Sequence, residues 1–188
     1  MKAELRSTLK AARRAHVAAL PDAILGLLFR QPPAPLVRLI PEGATIGLYR
    51  AMRDEAPASR YAAHFHEAGH TIALPRFAGR SAPMQFAVHS DPYGEADLEP
   101  GPFGLLQPAA DAPAVIPDVL FVPLIGFTAE GQRLGQGGGH YDRWLASHPG
   151  TIAIGLAWDC QLCETLPLEP HDVPLRAVVT PTRLYGAE

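Results

Sequence analysis

Two hydrophobic periods alternate along this chain. Over the first thirty residues Leu5, Leu9, Ala12 and His16 fall at helical spacing, which predicts an amphipathic helix with a break or second start at Pro21–Asp22. The segment QPPAP then ends it, because consecutive prolines lack amide donors and push their predecessors out of the helical region. Beyond it, ATIGLY (Ala44–Tyr49) and TIALP read as buried strands, separated by a helix over Pro57–Gly69 with Pro near its start and Gly near its end. MQFAVH, VLFVP, TIAIGLA and RAVVT are predicted strands, and HYDRWLASH a short amphipathic helix. Short, apolar, nearly continuous strands separated by helices predict an α/β fold with a mainly parallel sheet covered on both faces. The Pro- and Gly-rich span Asp91–Pro117 reads as a long connection or insertion. With no internal repeat, low-complexity tract or boundary signal, one domain over residues 1–188 is expected.

Composition changes this picture mainly by exclusion. A hydrophobic content of 47% supports a well-buried core. A formal charge of -3 and a pI near 6.2 argue against a non-specific nucleic-acid binder, which needs a basic field to displace counterions from phosphates. No apolar run approaches the ~20 residues of a membrane span. The N-terminus alternates charge with alanine instead of forming a signal-peptide core, so a cytoplasmic protein, a monomer acting on small molecules, is expected. Cys160 and Cys163 are the two cysteines; with no thioredoxin-like context around this C-x-x-C, they read as reduced thiols beside a strand end.

Candidate chemistry concentrates in RLGQGGGHYDRW, Arg133 to Trp144, where four glycines fall within five residues and His, Tyr, Asp, Arg and Trp follow. It comes after the strand VLFVP and opens a helix. Glycines let amide groups approach an anion, and a helix N-terminus adds unpaired donors and a positive dipole end, so a phosphate ligand is expected. The spacing matches neither the Walker A loop nor the dinucleotide-binding pattern, whose third glycine is replaced by His140. Asp142, in the first helical turn, would repel a phosphate unless a Mg²⁺ ion bridges them. Simple compensation of the helix dipole is an equally good reading of that carboxylate. A rival motif, HEAGH, satisfies the H-E-x-x-H zinc-protease pattern through His66, Glu67 and His70. Against it, a helix ending near Gly69 leaves His70 off the face that carries His66, and no third ligand is marked downstream.

Beyond single motifs, the chain resembles the 5-formyltetrahydrofolate cyclo-ligase family, also called 5,10-methenyltetrahydrofolate synthetases. The resemblance rests on KAELR, LYRAMRDE, LPR with MQF beyond it, FGLLQP, PDVLFVPLIGFTAEGQRLGQGGGHYDRWL and the closing Q…LPLEPHD…AVVT, all in the family's order. It implies a Rossmann-like three-layer α/β/α sandwich. It also implies a ligase that uses Mg-ATP to close the formyl group of 5-formyltetrahydrofolate onto N10, yielding 5,10-methenyltetrahydrofolate, ADP and phosphate.

The resemblance further implies ATP contacts at Lys2 and Arg6 and along Arg133, Leu134, Gly135, Gln136, Gly137, Gly138, Gly139, His140 and Tyr141. Folate contacts fall on Arg50, Glu55, Gln136, Gly139 and His140. Asp142 and Asp172 become Mg²⁺ ligands, with Arg133 and Asp142 acting in catalysis. Outside that resemblance, Lys2 and Glu55 would pass for solvated charges and His171-Asp172 for a turn. The chain departs from the family pattern at Gln107, where Glu is usual, and at Thr128, Gln136, His140 and Pro181. A non-catalytic folate- or nucleotide-binding paralogue is one alternative; another is a non-folate ligase or sugar-phosphate enzyme on the same architecture.

Overall fold

The computed structural model describes residues 2–186. The chain begins with helix α1 (Lys2–Ala19), followed by the single-turn helices α2 (Asp22–Leu25) and α3 (Ala34–Val37). Strand β1 (Thr45–Gly47) leads through a 3-10 turn into α4 (Tyr61–Glu67) and back to β2 (Thr71–Arg76), then β3 (Gln85–Val88). The span expected to be a long connection or insertion holds β4 (Leu98–Pro100), β5 (Leu106–Pro108) and β6 (Ala114–Val115). The first two form a separate hairpin, and β6 adds to the edge of the main sheet. After β7 (Val119–Pro123) comes a second small hairpin, β8 (Gly126–Phe127) and β9 (Arg133–Leu134), and then α5 (His140–Ser147), β10 (Ile152–Leu156), β11 (Ala177–Val179) and β12 (Leu184–Tyr185).

The main sheet has eight strands in the order β12-β11-β10-β7-β1-β2-β3-β6. Its five central strands are parallel, whereas β12, β3 and β6 pair antiparallel at the two edges. Taken in chain order, the parallel strands run 2-1-3-4-5, a doubly wound arrangement that differs from the six-strand dinucleotide-binding order. The chain leaves β1 toward β2 on one side and returns at β7 on the other, so winding reverses between β1 and β7. At such a reversal the loops beyond the carboxyl ends diverge and leave a crevice.

Strand alternation sorts the core into two layers. Val119 and Phe121 of β7, Ile154 and Leu156 of β10, and Ile72 and Leu74 of β2 face α4 and the N-terminal helices. Leu120, Val122, Ala153 and Ala73 face the other way, against Trp144 and Leu145 of α5. Tyr61 and Phe65 meet Phe121 with ring centroids 5.6 and 5.8 Å apart. The expected helix on either side of a mainly parallel sheet is therefore present. Between β10 and β11, however, the connection carries only the 3-10 turn Asp159–Gln161.

On α1 the stripe is not the one periodicity predicts. Leu5 and Leu9 pack against Ile125, Leu134 and Leu166, but Arg13 turns inward and Ala12 stays exposed. The Arg13 guanidinium is buried and donates to the Leu124 carbonyl at 3.3 Å, at the end of β7. This hydrogen bond to a strand-end carbonyl offsets part of its desolvation, Nε being buried without an acceptor, and ties α1 to the end of β7. No helix among the described residues is long and apolar enough to cross a membrane.

Candidate active site

A cavity of about 310 Å³ lies beyond the carboxyl ends of β1, β2 and β7. Every site residue expected from the sequence lines it: Lys2 and Arg6 from α1, Arg50 and Glu55 from the loop after β1, the run Arg133 to Asp142, and Asp172. These come from four separate stretches of chain, brought together at the winding reversal.

The loop after β1 is held from both ends. The Tyr49 hydroxyl donates to the Ala56 carbonyl at 2.6 Å, and Trp158 Nε1 donates to the Asp54 carbonyl at 3.0 Å. Burial, followed by the nearby Glu55 charge, raises the Tyr49 phenol well above its ordinary range, so it stays a donor. The loop presents Glu55, which is buried, as an acceptor: Oε2 takes the Met52 amide at 2.8 Å and Oε1 takes Gln136 Nε2 at 2.7 Å. Arg50 forms an ion pair with Glu95, on the segment preceding β4.

The glycine loop follows β9 of the small hairpin, which occupies the stretch between VLFVP and the glycines. Arg6 Nε donates to the Gly135 carbonyl at 2.9 Å, tying α1 to the loop. Gly139 caps α5 at φ +67°, and a Cβ there would stand 2.7 Å from Arg143 Nη1. The left-handed backbone is what this position needs glycine for, since the end of the Arg143 side chain can move aside. Arg143 returns from the helix to the Gly138 carbonyl at 2.9 Å. Burial and the neighbouring Arg143 charge lower the His140 imidazole, so it is neutral near pH 7.

Charge is densest where β9 meets α5. Arg133 is buried and pairs with Asp142 Oδ1 at 2.5 Å. Burial pushes its guanidinium down while Asp142 and Asp172 push it back up, and guanidinium groups remain charged in proteins. Its Nε is buried without a hydrogen-bond acceptor. Lys2 Nζ lies 3.2 Å from Glu169 and 3.4 Å from Asp172. Desolvation, then Glu55, raises Tyr141 far above the ordinary phenol range, which removes it as a base.

As to metal ligands, Asp172 gathers with Glu169 and His171, their donor atoms all within 4.8 Å of one another. Asp142 stands outside that group, engaged by Arg133 and, at 3.4 Å, by the Val173 amide. The H-E-x-x-H reading fails on geometry. Helix α4 stops at Glu67 and is capped by Ala68, and His70 Nδ1 pairs with the Ala44 carbonyl at 3.1 Å. Glu67 accepts from the Tyr93 hydroxyl at 2.9 Å. Among the described residues the Glu169 group is the one cluster of three such donors, so His66, Glu67 and His70 assemble no zinc site. Cys160 and Cys163 are free, half-buried thiols whose ionisation is suppressed by desolvation.

Several lining residues are not among the expected site residues. Phe77, Phe103 and Met84 form an apolar wall. Phe77 meets Phe103 and His140 edge-on, with centroids 4.8 and 5.0 Å apart. Glu169 and His171 could have been found, since they flank Asp172 in LEPHD. Of the departures from the family pattern, Gln107, Gln136 and His140 line the cavity. Thr128 is buried with its hydroxyl unpartnered, and Pro181 lies in the turn after β11; neither lines the cavity.

Comparison with known proteins agrees with this architecture. The chain is 35% identical over 147 residues to the 5-formyltetrahydrofolate cyclo-ligase of Escherichia coli K12, covering 75% of this chain and 80% of that one. It is 33% identical over 125 residues to that of Mycolicibacterium smegmatis, covering 62% and 63%. Among solved structures, the 5,10-methenyltetrahydrofolate synthetases of Aquifex aeolicus and Mycoplasma pneumoniae each superpose with a TM-score of 0.66, at 24% and 22% identity. They match 98% and 94% of this chain and 91% and 96% of their own, and show the fold. The profile of the 5-formyltetrahydrofolate cyclo-ligase family matches residues 1–181, and the chain belongs to that family of ligases.

Proposed function

We propose that the protein uses Mg-ATP to convert 5-formyltetrahydrofolate into 5,10-methenyltetrahydrofolate, releasing ADP and phosphate. The observation that carries this reading is one cavity with two chemically different walls. One wall offers Lys2, Arg6, Arg133 and the glycine-loop amides to phosphate oxygens. The other offers Phe77, Phe103 and Met84 to a flat ring, with Glu55 placed to accept ring N–H donors and Arg50 to meet a carboxylate. Gln136 and His140 lie where the two walls join.

In this reading the formyl oxygen attacks the γ-phosphorus of ATP, forming an O–P bond as the bond to ADP breaks. N10 then adds to the activated carbon and loses its proton, and the C–O bond breaks to release phosphate. No protein nucleophile is needed. Arg133 and the glycine-loop amides stabilise charge on the transferring phosphoryl oxygens, and the walls hold formyl oxygen, phosphorus and N10 in reacting geometry. Asp172, grouped with Glu169, and Asp142, which lines the same cavity outside that group, would supply oxygen ligands of the kind Mg²⁺ takes beside phosphates. When bound, Mg²⁺ supplies charge neutralisation for the phosphate oxygens.

The test is direct. Purified protein with ATP, Mg²⁺ and 5-formyltetrahydrofolate should generate the absorbance of the methenyl product, and omission of ATP should abolish it. Tight folate binding without turnover would instead identify a non-catalytic paralogue.

A further inference from the structure

Gln107, on β5, lies against the end of β2 and is buried. Its amide makes two hydrogen bonds to one residue: Oε1 accepts the Phe77 amide at 3.0 Å, and Nε2 donates to the Phe77 carbonyl at 3.0 Å. The last β2–β3 ladder pair is Arg76 with Gln85, so Phe77 stands just past the point where strand pairing stops. The side-chain amide thus replaces the peptide group of a missing neighbouring strand. The fit is close: a Cβ at Gly101, on the facing turn of the hairpin, would stand 2.6 Å from Gln107 Oε1.

This pairing sets the apolar wall. The Phe77 ring is the hub between Phe103, carried by the β4–β5 hairpin, and His140, carried by the glycine loop. Arg76 fixes the chain after β5 by donating to the Ala109 and Ala112 carbonyls at 2.8 and 2.9 Å, but it does not reach Phe77. The orientation of the Phe77 backbone therefore depends on Gln107.

We infer that Gln107 is a positioning residue for folate: by pairing simultaneously with the N–H and C=O of Phe77, its amide holds the aromatic wall in the shape that binds the substrate ring. The role requires one donor and one acceptor in the same planar group. An amide provides both at every pH, whereas a carboxyl provides both only when protonated. An ionised carboxylate would point an anion at the Phe77 carbonyl in a buried place, so burial and this carbonyl would raise its pKa.

The inference rests on the folate reading of the cavity, and the experiment separates the two. Initial rates are measured for wild type, Gln107→Glu and Gln107→Met from about pH 5.5 to about pH 8.5, above the ordinary Glu value of about 4.3. For Gln107→Glu the KM for 5-formyltetrahydrofolate should be about tenfold above wild type at the alkaline end and within about twofold at the acid end. Its KM for ATP should track wild type throughout. Gln107→Met, which cannot pair or titrate, should raise the folate KM by a similar factor at all pH values. The melting temperature of Gln107→Glu relative to wild type should fall with rising pH. A raised folded pKa gives stability that is full below the unfolded value and lost as pH climbs through the folded one. A pH-independent KM ratio for Gln107→Glu, or a Gln107→Met folate KM equal to wild type, overturns the inference. If wild type neither turns over nor binds folate, the folate reading fails instead, while the pH-dependent melting of Gln107→Glu still reports the Phe77 pairing.

Discussion

Gln136 Nε2 donates to Glu55 Oε1 across 2.7 Å, joining two residues 81 positions apart and closing the loop after β1 onto the glycine loop. The pair places the expected acceptor for the substrate ring directly beside the expected phosphate cradle. With its other oxygen on the Met52 amide, Glu55 is oriented before any ligand arrives.

Replacing that carboxylate should therefore affect folate more than ATP. Glu55→Gln should raise the folate KM by about tenfold to a hundredfold, as expected when a charge-assisted hydrogen bond contributing about 1.5–3 kcal/mol is lost. The ATP KM should stay within about threefold. Steady-state kinetics with each substrate varied in turn checks this, and equal effects on both would place Glu55 outside the folate wall.

Asp142 serves Arg133 and, in the proposed reading, Mg²⁺ as well. Asp142→Asn keeps the shape and a hydrogen-bond acceptor for Arg133 but removes the charge. The Mg²⁺ concentration for half-maximal rate should rise and kcat should fall by at least about tenfold, with the folate affinity changed less than about threefold. Magnesium titrations of turnover, beside equilibrium folate binding, decide it. An unchanged Mg²⁺ dependence would leave Asp142 only its role of orienting Arg133.

Lysine is scarce enough to act as a reporter: Lys2 and Lys10 are the only lysines in the chain. Lys2 lines the cavity and Lys10 does not. Mg-ATP should protect Lys2 from an amine reagent and leave the Lys10 rate unchanged, as read by peptide mapping. Equal labelling with and without nucleotide would remove Lys2 from the phosphate wall.

The order of bond making can be read isotopically. Oxygen-18 placed in the formyl group should appear in the released phosphate, because the formyl oxygen forms the new bond to phosphorus and leaves with it. Label departing in water, with unlabelled phosphate, would exclude direct phosphorylation of the formyl oxygen.

Local composition and periodicity by themselves determined the layered α/β plan, six of the eight strands of the main sheet, and the glycine loop opening a helix. Each depends on neighbours within one element, where an apolar run or a lost Cβ acts over a few residues. The family motifs extended that to the site residues, all of which line one cavity. What periodicity misread was set by long-range contact. Arg13, and not Ala12, lies in the buried stripe, where its guanidinium reaches the Leu124 carbonyl 111 positions away. The hairpin in the expected connection or insertion, the Phe77 wall and its Gln107 support likewise come from pairings that periodicity does not register. Hydrogen-bond partners in such places are chosen by which groups the sheet's winding brings within reach, and only the tertiary structure decides that.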